Sequence, residues 1–198
     1  MLIVVDLASG LVWRRLVNHF STKADPSFVP IVEGETLMVR PTSGLPQPFA
    51  VPADGIALSA DGTTLHYCPL SSRHLFSVPT ALVRDRSLAD SKVGAAVVDL
   101  GEKGASDGLE ADAQGHIYAG DYKHDGIRRR LPDGTWVTIV HDPRVLWPDT
   151  LSVGPDGWLY FTANQLERGA DFHSGHDLRQ KPYTLFRVKI GGSPVALK

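Results

Sequence analysis

The chain has a single cysteine, Cys68, in 198 residues, so no disulfide can form within it. Cys68 sits in the run Leu65-His-Tyr-Cys68, which reads as a buried strand. A free cysteine there packs as a small apolar side chain rather than serving as a reactive thiol. No apolar run approaches the ~20 residues that a membrane-spanning helix needs. The opening run Met1-Leu-Ile-Val-Val-Asp6 is short and has neither a basic leader nor a cleavage pattern, so it reads as a strand entered in mid-fold and not as a secretion signal. Charge of one sign is scarce as well. The net charge is −2, which gives no basic field for nucleic acid. The one dense basic run, Arg128-Arg-Arg130, falls in a predicted strand and turn, where a solvated strand edge accounts for it. Helical patterning is sparse: Pro79 to Arg84 has room for a turn or two, and Asp25 to Phe28 for a short turn.

What is present is an ordinary globular composition, 42% hydrophobic and 21% charged, in a chain long enough to bury a core. The 19 glycines and 14 prolines are spread along the chain and separate short β-rich runs, which is the all-β pattern.

Self-similarity carries more information. Asp54-Gly-Ile-Ala-Leu-Ser-Ala-Asp-Gly62, Asp107-Gly-Leu-Glu-Ala-Asp-Ala-Gln-Gly115 and Asp149-Thr-Leu-Ser-Val-Gly-Pro-Asp-Gly157 align, starting 53 and 42 residues apart. Each opens on an aspartate and places a glycine eight residues later. An apolar residue follows that glycine closely (Leu65, Ile117, Leu159). The residues after the first aspartate form a strand, the glycine closes a hairpin turn, and a second antiparallel strand returns. Third strands are predicted at Arg73–Val78, Gly126–Arg130 and Tyr183–Val188, and fourth strands at Ala95–Asp99 and Thr135–Val140, with Pro132-Asp-Gly134 as a turn between them. Four antiparallel strands repeated every ~40–50 residues describe a β-propeller blade. A β-sandwich also has many short strands, but does not call for an aspartate at a fixed offset.

The expected architecture is therefore all-β: one domain over residues 1–198, a partial ring of about three and a half four-stranded blades. Residues 1–20 end one blade, and 50–100, 105–141 and 147–198 form three more. Since a ring needs four to eight blades, missing N-terminal blades or a second chain would have to close it, and a truncated chain is the simpler expectation.

In such a blade the innermost strand starts at one mouth of the central channel and the second strand returns to it. The opening aspartates Asp54, Asp107 and Asp149 then share a rim, joined by Asp121 and Asn164, with Trp147, Tyr122 and His124 nearby. Converging carboxylates repel unless a cation, a proton or hydrogen bonds compensate. Asp54, Asp107 and Asp149 are candidate ligands of a hard, Ca²⁺-like divalent cation. Asp107 and Asp149 are candidate acid–base residues, if one carboxyl keeps a proton at neutral pH. Trp147, Tyr122, Asn164 and His124 are candidate substrate-binding residues for a small organic molecule, the two aromatics stacking on it. The ordinary alternative is that each aspartate accepts backbone N–H groups and braces the ring. Gln165 to Pro182 is a long polar connection expected to lie over the rim as a lid. Its His173 and His176 are a weak zinc signal without a third ligand. His66 and His116 read as packing or surface residues.

The runs Asp54-Gly-Ile-Ala-Leu-Ser59, Asp107-Gly-Leu109, Trp147-Pro-Asp-Thr-Leu-Ser152, Phe161-Thr-Ala-Asn-Gln-Leu166 and Lys181-Pro-Tyr-Thr-Leu-Phe-Arg-Val188 resemble the major royal jelly protein/yellow family, over most of the chain and corresponding to the C-terminal half of a member. The resemblance implies a six-bladed propeller, an extracellular or periplasmic location, and either dopachrome-type conversion, ligand binding or a non-catalytic storage role. A more distant resemblance is to gluconolactonase/regucalcin-type propellers, where an Asn or Asp at an inner strand binds a divalent cation and supports lactone hydrolysis. Asp54 and Asp107 fall at matching places, with Asp54 where that group tends to have Asn.

Overall fold

The computed structural model describes residues 1–196; Leu197 and Lys198, the end of the expected third blade, lie outside the described residues. The chain opens with a hairpin of β1 (Leu2–Val5) and β2 (Val12–Arg15), paired Leu2↔Arg15 through Val5↔Val12. A 3-10 turn at Phe20–Thr22 follows. Two small hairpins come next, β3 (Ile31–Val32) with β4 (Glu35–Thr36), and β5 (Met38–Val39) with β6 (Gln47–Pro48).

The repeat then produces sheets. β7 (Ala53–Leu58), β8 (Thr64–Pro69), β9 (His74–Pro79) and β10 (Val98–Glu102) form a four-stranded antiparallel meander. A second meander contains β11 (Leu109–Ala111), β12 (Ile117–Asp121), β13 (Gly126–Arg130) and β14 (Trp136–His141). β15 (Pro148–Val153), β16 (Trp158–Ala163) and β17 (Thr184–Lys189) make a three-stranded sheet. The aligned glycines Gly62, Gly115 and Gly157 all take positive φ (71°, 86° and 78°), which closes each hairpin in a conformation that side chains resist. The chain is thus a partial β-propeller with the strand order expected of its blades.

Burial follows from sheet-on-sheet packing. β16 alternates, with Leu159, Phe161 and Ala163 buried on one face. β12 lies between two sheets and is buried at every residue. One apolar cluster (Cys68, Leu75, Leu109, Ile117) joins the first meander to the second. Another (Tyr118, Ile127, Leu151, Phe161) joins the second to the third sheet. A third (Leu2, Leu16, Tyr67, Val78, Val93) seats the opening hairpin on the first meander. Cys68 is buried within this packing, as expected.

The outer strand of the first meander departs from expectation. Residues Asp90–Ala95 form a short helix, α1, and the strand begins later, at Val98. The Asp90 carboxylate accepts the backbone N–H groups of Leu16 and Val17 at 2.8 and 2.9 Å, and Val93 is fully buried. Contacts 70 or more residues away in sequence therefore override the local β-rich pattern. The predicted helical turn after Pro79 is present at Thr80–Arg84. Residues 28–51, which carry no repeat, fold with 166–172 into a cap: Phe28, Val32, Leu37 and Phe172 cluster with Leu70, Tyr122 and Trp147, against Phe49 and Val51.

Candidate active site

β7, β11 and β15 pack side by side as the inner strands. Asp54 is the second residue of β7, Asp107 lies two residues before β11, and Asp149 is the second residue of β15. The glycine after the aspartate has a steric cause. A Cβ on Gly55 would sit 2.5 Å from the Asp107 carbonyl oxygen, and one on Gly108 only 2.1 Å from that of Asp149. Side chains are excluded where one inner strand crosses the start of the next. The third unit has Thr150 there, which is exposed.

The repeat therefore brings Asp54, Asp107 and Asp149 together, but their environments differ. Asp54 is exposed, Asp149 half-buried and Asp107 only 7% exposed. The Trp147 indole Nε1–H donates to Asp107 Oδ2 at 2.6 Å. Burial pushes the Asp107 carboxyl up to about 8, helped by a hydrogen bond with the Asp54 carboxyl and by the charges of Asp149 and Asp54, while the Trp147 hydrogen bond opposes the rise. Buried beside two other carboxyl groups, Asp107 is the member of the three on which a proton is favoured.

Asp149 is occupied otherwise. Its Oδ2 accepts the Asn164 side-chain Nδ2–H at 2.6 Å, leaving Asn164 Oδ1 buried without a donor. Among the described residues no three His, Cys, Asp or Glu side chains are arranged to hold a metal ion. Of the expected cation set, Asp107 Oδ2 accepts from Trp147 and Asp149 Oδ2 from Asn164, while Asp54 is exposed.

The aromatic expectation is corrected. Trp147 and Tyr122 are both fully buried and stack on each other, centroids 4.1 Å apart and planes 10° apart. The Tyr122 hydroxyl donates to the Leu70 carbonyl at 3.3 Å. Neither ring offers a face to a ligand; Trp147 instead acts as a donor to Asp107. Its φ of +56° is rare for a bulky residue and costs of order 1–3 kcal/mol. His124 is largely exposed, and its Nδ1 meets both Asp121 oxygens at 2.9 Å. Asp121 is thus taken up by a histidine outside the aspartate group. In the expected lid, His173 Nε2 is bonded to the Glu167 carbonyl at 3.0 Å, and His176 is exposed. The lid segment is tied down through Arg40 N–H to Asp171 O at 2.7 Å and Ser174 N–H to Arg40 O at 3.1 Å.

Two buried charged groups were not anticipated. Lys103 is 1% exposed, and its Nζ donates to the Gly104 carbonyl at 2.9 Å. Burial lowers its amine, opposed by contact with Cys68 and by the charges of Asp121 and Asp107. Glu167 is 5% exposed, and neither carboxyl oxygen has a partner; burial raises it to about 7. Lys103 stands in the turn-like run Gly101-Glu-Lys-Gly104 and Glu167 in a polar loop, so nothing local marks either.

Two antiparallel sheets of four strands and one of three, each with an aspartate at the start of its inner strand, define a β-propeller. The chain belongs to the major royal jelly protein family, whose model matches residues 1–179. Comparison with curated proteins gave no match. Among solved structures, it is similar to a gluconolactonase from Xanthomonas campestris at 18% identity and a TM-score of 0.51, covering 87% of this chain and 56% of that one. It is also similar to a calcium-binding protein, regucalcin, from Agrobacterium tumefaciens, at 17% identity and a TM-score of 0.47, with 98% and 73% covered. A luciferin-regenerating enzyme matches at 17% identity and a TM-score of 0.49, with 73% and 47% covered. The chain spans about half the length of the first and last of these.

Proposed function

We propose that this chain carries proton-transfer chemistry on a small organic molecule at the channel mouth, of the tautomerase type. The observation that carries the reading is the buried Asp107, hydrogen-bonded to the Trp147 indole and raised by the neighbouring carboxyl of the exposed Asp54. Asp54 is the member a substrate can reach. As a carboxylate it takes a proton from carbon, and the proton held by the pair is returned to oxygen or nitrogen of the same molecule. No net proton is consumed, and no oxidant or reductant is required. Asp107 acts through Asp54 by storing the proton at neutral pH, near the operating range that acid–base catalysis favours. Asp149, oriented by Asn164, orients the substrate beside the pair.

Metal-dependent lactone hydrolysis is the second reading, favoured by the fold shared with the gluconolactonase from Xanthomonas campestris. Dopachrome and simple lactones, each with and without a chelator, separate the two. The proposal expects chelator-insensitive isomerisation of dopachrome that falls ~10²–10⁴-fold in Asp107→Asn, the range for loss of an acid–base group. Chelator-sensitive lactone hydrolysis with no isomerisation would overturn it. Saturable binding of dopachrome without turnover would leave a non-catalytic ligand-binding protein.

A further inference from the structure

A cavity of about 310 Å³ lies away from the inner strands, between the 3-10 turn at Phe20–Thr22, the end of β8 and the starts of β9 and β10; Phe20, Lys23, Pro26, Pro69, His74 and Phe76 contribute to its wall. That volume falls at the lower end of small-molecule sites. Phe20 is 65% exposed although its ring meets Phe76 edge-on, centroids 5.7 Å apart. A large apolar ring left open beside a cavity is what a planar apolar ligand would cover.

The polar end of the cavity is organised by one histidine. His74 Nδ1 lies 2.8 and 3.0 Å from the two oxygens of Asp99. A carboxylate at Nδ1 fixes the proton there, so the neutral ring presents Nε2 as an acceptor. Asp99 is itself held by the Gly101 N–H at 2.9 Å, and the His74 backbone N–H donates to Ser72 Oγ at 3.1 Å. The imidazole is therefore fixed from both its side chain and its backbone, and Nε2 has no partner among the described residues. Lys23 forms no ion pair among the described residues and is the one lysine or arginine among them that lines the cavity, where the carboxyls of Asp25 and Asp99 also lie.

We propose that this cavity is a second small-molecule site that takes a small phenol, its ring against Phe20 and Phe76 and its hydroxyl donating to His74 Nε2. The apolar walls account for the ring and the Asp99-oriented histidine for the hydroxyl, with the Lys23 ammonium favouring an electron-rich oxygen. The site shares no residue with the Asp54–Asp107 pair.

The test is a titration of the whole protein with 4-methylphenol and, separately, toluene, followed by the ring ¹H signals of Phe20 and Phe76 in every variant and by the ring ¹⁵N signals of His74 where it is present. The expected result is a saturable shift with 4-methylphenol and at least tenfold weaker binding of toluene. His74→Phe should weaken 4-methylphenol at least tenfold and leave toluene unchanged, with the circular dichroism spectrum intact. Should that variant fail to fold, Asp99→Leu, which frees the imidazole tautomer, should weaken 4-methylphenol several-fold. Asp107→Asn should leave the titration unaltered, which separates this site from the channel mouth. Equal binding of toluene and 4-methylphenol, unchanged affinity in the histidine or aspartate variant, or no saturable shift at all would overturn the proposal.

Discussion

The Trp147 indole and the Asp107 carboxyl are joined by a 2.6 Å hydrogen bond between residues 40 apart in sequence, both buried. The bond links the start of the third sheet to the start of the second, and it favours the charged form of Asp107 against the effect of burial. Trp147→Phe keeps the ring against Tyr122 but deletes the donor. The Asp107 carboxyl is then expected to titrate higher still than about 8. Stability should fall by about 1–3 kcal/mol, from the lost bond to an ionisable group and the smaller ring. Denaturant unfolding and the alkaline limb of the pH–rate profile check the two effects separately.

Gly108 sets the spacing of the aspartates. Because its Cβ would lie 2.1 Å from the Asp149 carbonyl oxygen, Gly108→Ala must push β11 and β15 apart. The expected cost is about 1–3 kcal/mol, as for other overpacked sites, with loss of turnover larger than the loss of stability suggests. A urea titration beside a kcat measurement decides this; a variant as stable and active as the parent would show that the inner strands do not need this approach.

The raised carboxyls make stability depend on pH in a stated direction. Asp107 is held up to about 8 and Glu167 to about 7, both above the ordinary values of ~3.9 and ~4.3. The folded state then binds more protons than the unfolded state between those limits, so stability is fullest below pH ~4 for these two groups and declines as pH rises to about 7–8. Asp107→Asn and Glu167→Gln each remove one contribution. Unfolding free energies measured at pH 5, 7 and 9 should decline less steeply with pH in each variant than in the parent.

Much of this fold is legible in the amino-acid order because the repeat is a local device. Asp-Gly at the strand start and a glycine eight residues later fix an inner strand and its hairpin, and Gly126–Arg130 emerges as a strand with the predicted bounds. The elements that escape prediction are set by distant partners. α1 forms where Asp90 caps backbone groups of residues 16 and 17, and residues 28–51 become a cap because Trp147 and Phe172 wait beneath them. At the site, the same three aspartates could be placed on one rim, but not ranked. Burial separates Asp107 from Asp54 and Asp149, and the Trp147 ring that bonds to it is itself buried against Tyr122, although the sequence presents both rings as ligand platforms. Lys103 shows the same limit: a lysine between turn glycines gives no sign that it will be enclosed.

The central claim is that the Asp54–Asp107 pair keeps one proton at neutral pH. Side-chain carboxyl ¹³C signals of Asp107, followed from pH 3 to pH 10, measure it directly. The account expects Asp107 to titrate with a midpoint near 8, and to lose that titration in Asp107→Asn. A midpoint at the ordinary aspartate value of ~3.9 would mean that both carboxyls are ionised at neutral pH, and would contradict it.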